Sequence, residues 1–185
     1  LAGLLHDTHR ARPELRIKAP PRDCCHDQTS PGSVSTLRGE GHSLIFPFLM
    51  CWRHYVEIRL KSLINLVQQG LGNEIDVPGT HNLAKLWEKT ESLIAATEAF
   101  DDDESTRHVR RLILQLHALD PTAQEARYPI TTKGRPTFDK VDRLDMRAIH
   151  EAMEGVAKYL TGTDVGLTEH FRYRQELVEE FRYDW

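Results

Sequence analysis

The sequence predicts an all-α protein, an up-and-down bundle of four to five helices behind an irregular N-terminal extension. Three observations carry this expectation. Apolar residues recur at steps of three and four through most of the chain after His42, which is the spacing of one helix face. No alternating strand pattern of similar strength competes with it in that body. The first 43 residues instead hold four of the nine prolines, Pro13, Pro20, Pro21 and Pro31, and a Ser/Thr/Gly-rich run from Thr29 to Gly41, a composition that resists regular structure. Residues 1–43 are therefore read as an extension and residues 44–185 as one helical domain, which a chain of 185 residues with 39% apolar content can supply with a core.

Within the extension, Leu15 and Ile17 alternate with charge from Glu14 to Lys18, as in a short strand. The first helix places Leu49, Trp52, Val56, Leu60, Leu63 and Val67 on one stripe, and Gly70 with Gly72 ends it. After the turn-forming Asp76-Val77-Pro78-Gly79, a second helix carries Leu83, Leu86, Trp87, Thr90, Leu93, Ile94 and Thr97. A short Gly/Pro connection predicts that these two pack as an antiparallel hairpin. The acidic cluster Asp101 to Glu104 caps a third helix, which buries Val109, Leu112, Ile113 and Leu116 and stops at Asp120-Pro121. Residues 121–140 form a turn-rich connection. A fourth helix turns Val141, Leu144, Ala148, Ala152, Val156 and Leu160 inward, and past Gly162 a last helix carries Phe171, Leu177, Val178 and Phe181.

Composition narrows the function. Twenty-four Lys and Arg against 28 Asp and Glu give a charge of −4, so any polyanion site is a local patch. The longest apolar stretch, Leu44 to Met50, is soon interrupted by Arg53 and His54, and no membrane partner is expected. The chain opens at Leu1 without a basic-then-apolar leader pattern. Three cysteines, Cys24, Cys25 and Cys51, cannot all pair internally, which excludes a disulfide framework and points to a cytoplasmic setting. No phosphate-cradling loop, dinucleotide fingerprint or nucleophile elbow occurs, so no cofactor is expected and kinases, dehydrogenases and esterases are poor candidates. Cys24-Cys25-His26 with His6 and His9 has the residue types for zinc but not the spacing, so no metal site is assigned.

Three short pieces stand out together. They are Glu57-Ile58-Arg59-Leu60-Lys61-Ser62-Leu63, then Thr80-His81-Asn82-Leu83-Ala84-Lys85-Leu86-Trp87, then Ala126-Arg127-Tyr128-Pro129. In order and rough spacing, over about residues 44 to 162, they resemble the HEPN family of small helical domains. The resemblance implies an up-and-down bundle of four or five helices, commonly a two-fold dimer, of the kind found in prokaryotic toxin-antitoxin and phage-defence systems. Such proteins cut RNA, bind nucleotides or serve as assembly modules, and the fold does not choose among these.

The cutting members carry an Arg followed after four to six residues by a His, types suited to metal-independent RNA cleavage because imidazole moves a proton near neutral pH while guanidinium opposes phosphate charge. The candidates are Arg143 with His150, and Arg110 or Arg111 with His117. Arg143 and His150 are seven apart, two turns along one helix face, with Arg147 and Glu154 nearby. The plainer reading is a solvated face, and His117 beside its apolar row also reads as a packed histidine. Arg127 is followed by no such His. The connection suits anion binding instead, with Arg127, Lys133 and Arg135 around a phosphate, Tyr128 offering a stacking face and Gly134 letting backbone approach. Its structural alternative buries Tyr128 and pairs Arg127 with an acid such as Glu88. His81, at the head of the second helix, reads as a hydrogen-bonding residue to a neighbouring loop or helix end. The Phe171-Arg172-Tyr173-Arg174 and Phe181-Arg182-Tyr183 runs interleave aromatics with arginine, but Glu176, Glu179 and Glu180 offset the charge.

Three functions follow. The first is a HEPN-like homodimer, with two-fold contacts through helix four, that binds a nucleotide or RNA phosphate in a toxin-antitoxin or phage-defence setting, alongside an antitoxin or other defence partner. The second is a metal-independent endoribonuclease with His150 as general acid or base and Arg143 as phosphate stabiliser. The third is an adaptor bundle that binds a protein partner through exposed aromatics.

Overall fold

The computed structural model describes residues 17–18, 42–100, 103–124, 127–128, 130, 134, 137–138 and 143–182. Among the described residues are four helices, α1 (His42–Gly70), α2 (Leu83–Ala95), α3 (Glu104–Leu119) and α4 (Met146–Arg182), with two-residue strands β1 (Ile17–Lys18) and β2 (Arg143–Leu144). The strands pair antiparallel, Ile17 opposite Leu144 and Lys18 opposite Arg143. Of the alternation read from Glu14 to Lys18, Ile17 and Lys18 thus form a strand that sits at the base of α4. The rest of residues 1–41 lies outside the described residues.

The apolar stripes become the core. Val56, Leu60, Leu63, Ile64 and Val67 of α1 meet Leu83, Leu86 and Trp87 of α2, Val109, Leu112, Ile113 and Leu116 of α3, and Ile149, Ala152, Met153, Val156, Leu160 and Leu167 of α4. Local signals set the ends. The Asn82 side chain accepts from Lys85 N at 3.0 Å and caps α2, and Asp103 caps α3 by accepting from Thr106 N at 2.8 Å. At the end of α1, Gly72 takes φ 69° while Asn73 N bonds Gln68 O and Gly72 N bonds Gln69 O, the double closure that a left-handed residue permits.

Helix direction departs from expectation. His150 lies on Phe48 and Trp52, Arg59 donates to Leu160 O and Asp164, and Phe171 rests on Gly70, so α4 runs beside α1 in the same direction. Residues 73–82 double back along α1. Asp76 N donates to Gln68 Oε1 at 3.1 Å, and His81 Nδ1 reaches Glu57 Oε1 at 2.8 Å. α2 therefore starts beside the middle of α1 and ascends again towards Phe100, which lies against Gly166. The antiparallel hairpin and the up-and-down order are corrected: α1, α2 and α4 ascend, and α3 descends from Thr106 beside Tyr159 to Asp120 beside Arg53. The physical reason is the connection, whose irregular residues retrace about 16 Å of α1 at 1.5 Å per helical residue instead of turning at its end.

Gly162 does not end a helix, because α4 is continuous over 37 residues. A glycine inside a helix costs about 1 kcal/mol against alanine, less than the burial of Leu160, Thr163 and Leu167 around it supplies. Other expected inward residues differ too. Leu144 lies in β2 and is half-buried, Ala148 is half-buried, and Val178 and Phe181 are exposed, while Val141 lies outside the described residues.

Two glycines give opposite predictions. A Cβ on Gly70 would stand 2.3 Å from the ring of Phe171, which is buried, whereas a Cβ on Gly162 would meet nothing within 4 Å. Gly70→Ala is expected to destabilise by about 1–3 kcal/mol through overpacking, and Gly162→Ala to stabilise by about 0.5–1 kcal/mol through helix propensity. Urea midpoints followed by circular dichroism read both signs. A neutral or harmful Gly162→Ala contradicts a helix running through that point.

Candidate functional site

The three sequence pieces that stood out meet at one place. Glu57 comes from α1, His81 from the connection into α2, and Arg127 from the segment after α3. Glu57 and Arg127 line a cleft of about 270 Å³ together with Met50, Cys51, Arg53, His54, Asp120 and Ala123, and His81 reaches it only through its bond to Glu57. The sequence builds it simply. Arg53, His54 and Glu57 lie within one turn of α1, and Asp120, where α3 stops, lands against them.

Arg53 is the centre of this arrangement at 3% exposure. Its Nε donates to Asp120 O at 3.0 Å, its Nη2 donates to His81 O at 2.8 Å, and its guanidinium faces Asp120 Oδ2 at 3.6 Å and Glu57 Oε2 at 3.7 Å. Glu57, also buried, is bonded through Oε1 to Lys61 Nζ and His81 Nδ1, both at 2.8 Å. Asp120 Oδ1 accepts from Gln124 N at 2.9 Å. Two buried carboxylates and a buried guanidinium are tolerable here because each has opposite charge and hydrogen bonds around it.

The electrostatics follow from this crowding. Burial draws Arg53 below its ordinary pKa, helped by the like charge of Arg127 and opposed by Asp120 and Glu57, and it remains protonated. Burial raises Glu57, but hydrogen bonds and charge from Lys61 and His81 outweigh it and hold the carboxyl below its usual range. His117 is lowered by burial and then by Arg53, with Asp120 opposing, and its Nδ1 is buried without a hydrogen-bond partner.

A pH dependence follows with a definite sign. His117, depressed in the folded protein, is protonated more readily in the unfolded chain, so stability falls as pH drops below about 6.5. Glu57, also depressed, contributes stability that is present above about 4.3 and is lost as pH falls through its folded value. Urea unfolding between pH 8 and 2.5 is expected to show both losses, the one from His117 below about 6.5 and the one from Glu57 below about 4.3, and His117→Gln to remove the upper one. A curve that is flat from pH 8 to 5 in the parent protein contradicts the lowered pKa of the half-buried His117.

The structure treats the predicted site residues differently. Arg127 faces the cleft, and no carboxylate among the described residues pairs with it, so the Glu88 pairing does not form. Tyr128 is 61% exposed, which overturns the alternative in which it is buried. Gly134 is described with φ 73°, and Lys133 and Arg135 lie outside the described residues. His81 bonds Glu57 and, through its carbonyl, Arg53, the hydrogen-bonding role expected of it. Arg143 and His150 do not share a helix face. Arg143 stands in β2, because Asp145 caps α4 by accepting from Ala148 N at 3.0 Å. His150 is exposed, lies on Phe48 and Trp52, and faces Glu154 at 3.7 Å. Arg111 turns to His108 Nδ1 at 2.8 Å and Arg110 to Glu91 at 3.6 Å, while His117 is half-buried.

Arg53, His54 and Asp120 were missed as site residues. A signal existed for Arg53 and Glu57, opposite charges one turn apart inside the α1 apolar stripe. Among the described residues no His, Cys, Asp or Glu cluster could hold a metal ion, and no helix is long and apolar enough to cross a membrane. The zinc-type residues His6, His9, Cys24, Cys25 and His26 lie outside the described residues, and Cys51 is exposed and free. Comparison of the chain with protein-family models, curated proteins and solved structures finds no match in any of the three.

Proposed function

We propose that the cleft binds the phosphate of a nucleotide or of an RNA backbone. The observation that carries this reading is the convergence of two guanidiniums on one cavity, Arg53 fixed by Glu57, Asp120 and the His81 carbonyl, and Arg127 exposed with no acid paired to it among the described residues. A fixed cation beside a free one is a pre-organised anion site, because the first has already lost its side-chain freedom and the second gains a partner. His54 adds a third donor at the wall, and exposed Tyr128 offers a ring face next to Arg127 for a base. The HEPN resemblance supports the same reading, since two of its three pieces line this cleft through Glu57 and Arg127 and the third bonds Arg53 and Glu57 through His81. A toxin-antitoxin or phage-defence role is the corresponding biological setting. The ribonuclease reading through Arg143 and His150 gains no support from their placement.

Thermal unfolding against a panel of nucleotides and short RNAs in EDTA tests it. A ligand at a hundred times its dissociation constant is expected to stabilise the protein by about 2.7 kcal/mol, and Arg127→Ala to remove that gain without lowering the ligand-free midpoint. No shift with any ligand, or an undiminished shift in Arg127→Ala, removes the reading.

A further inference from the structure

α3 leads down to the cleft, because Asp120 directly follows that helix and its carbonyl accepts from Arg53. The outer face of the same helix carries a shallow groove lined by Arg110, Arg111, Leu114, Gln115 and Ala118. Arg107 shares its rim but is already engaged within the fold. No acid occurs from Ser105 to Leu119 or from Pro121 to Gln124, and Asp120 between them is buried. Ala118, Pro121, Thr122 and Gln124 are exposed, so a surface of α3 free of acidic side chains leads from the groove towards Arg127. Glu125 lies outside the described residues.

Two helices give the separation independently. Arg111 and Arg110 stand about 12 and 14 Å before Leu119 along α3, and Glu91 stands about 12 Å beyond Leu83 along α2, at 1.5 Å per residue. Arg110 faces Glu91 at 3.6 Å, and His81, just before α2, gives its carbonyl to Arg53. Both routes therefore put the two arginines at the same distance from the cleft. A stacked single strand rising about 3.4 Å per nucleotide crosses it in about four steps. We propose that the ligand of the cleft is a single-stranded oligonucleotide, with one phosphate between Arg53 and Arg127 and others on Arg111 and Arg110. This track rests on the phosphate reading of the cleft and adds the chemical class of its ligand.

The contacts that Arg110 and Arg111 now make, with Glu91 and His108, lie at the surface, where such pairs are worth little and yield to a phosphate. A strand fits better than a duplex. Arg53 is 3% exposed inside a cleft of about 270 Å³, and a phosphate enters such a place only on a backbone free to bend. Leu114, 37% exposed in the groove, and Tyr128, exposed beside Arg127, offer apolar surface to sugars and bases along the same path. An acidic peptide would match the arginines but has no use for the stacking face.

Fluorescence anisotropy of a labelled octauridylate in EDTA, displaced by uridine monophosphate and by unlabelled oligouridylates of increasing length, tests the track on the 185-residue chain. Affinity is expected to rise with each nucleotide up to about four and then to level off. R110A/R111A alters only exposed side chains, so it should keep the parent melting temperature and the parent affinity for uridine monophosphate. It should weaken the octamer about tenfold or more and make its salt slope shallower by about 1.4, two phosphate contacts at about 0.7 each. Arg127→Ala should weaken both ligands. Affinity that does not grow with length, or an octamer indifferent to R110A/R111A, overturns the track while bound uridine monophosphate keeps the cleft reading. An octamer indifferent to Arg127→Ala overturns it too, because the strand then binds α3 without entering the cleft. A blunt duplex or polyglutamate competing as well as the single strand assigns the groove to another ligand and has the same effect. If neither uridine monophosphate nor the octamer binds, the cleft reading and the track fall together.

Discussion

Arg53→Met is expected to lower stability by about 3–5 kcal/mol, the cost of leaving buried charge without its partner. The side chain is 3% exposed and serves four acceptor groups at once, the Asp120 carbonyl and carboxylate, the Glu57 carboxylate and the His81 carbonyl. Methionine fills similar volume, so the loss reports charge and hydrogen bonding more than a cavity. Arg53→Lys keeps the charge but not the fork that reaches Asp120 and His81 together, and an intermediate loss is expected. Lys61→Ala provides the contrast. Its ammonium also bonds Glu57, at 2.8 Å, but lies nearer solvent, and a cost of about 0–1 kcal/mol is expected. Urea unfolding at pH 7.5 measures all three. A loss below about 1 kcal/mol for Arg53→Met would show that Glu57 and Asp120 are not held by it.

This network also marks where sequence reading reached its limit. Periodicity assigned Val109, Leu112, Ile113 and Leu116 to one face of α3, and all four are buried, because a helix face depends only on local spacing. Periodicity says nothing about direction. That α2 starts beside the middle of α1 depends on a connection whose course is fixed by Asp76 on Gln68 and His81 on Glu57, contacts between residues 8 and 24 positions apart. The Arg143 and His150 pairing failed for a legible reason. Asp145 is a helix-capping residue three positions before Ala148, and giving it that role starts the helix at Met146 and leaves Arg143 outside. The cleft was half legible. Glu57, His81 and Arg127 stand in the three short pieces, whereas Arg53 reads only as an interruption of the apolar stretch and Asp120 only as a helix stop, although burying Arg53 on the α1 stripe requires an acid opposite.

Leu60→Ala is expected to cost about 2–5 kcal/mol, and its neighbour Ile58→Ala less than about 0.5 kcal/mol, although both remove aliphatic side chains from the same helix. Leu60 is fully buried and Ile58 is 48% exposed. Two residues separated by about 200° on a helix at 100° per residue lie on opposite sides of it. The large cost at Leu60 has two parts, the lost transfer of its methyl and methylene groups from water and the void left among close-packed neighbours from α2 and α4. Neither applies at Ile58, where solvent already occupies much of the surroundings. The ratio of the two effects therefore measures which face of α1 looks inward, and with it which way Arg53 and Glu57 point, since both lie on the Leu60 side. Equal losses at the two positions would require α1 to be rotated or covered on both faces, and a rotated α1 would turn Arg53 away from the cleft and take the anion site with it.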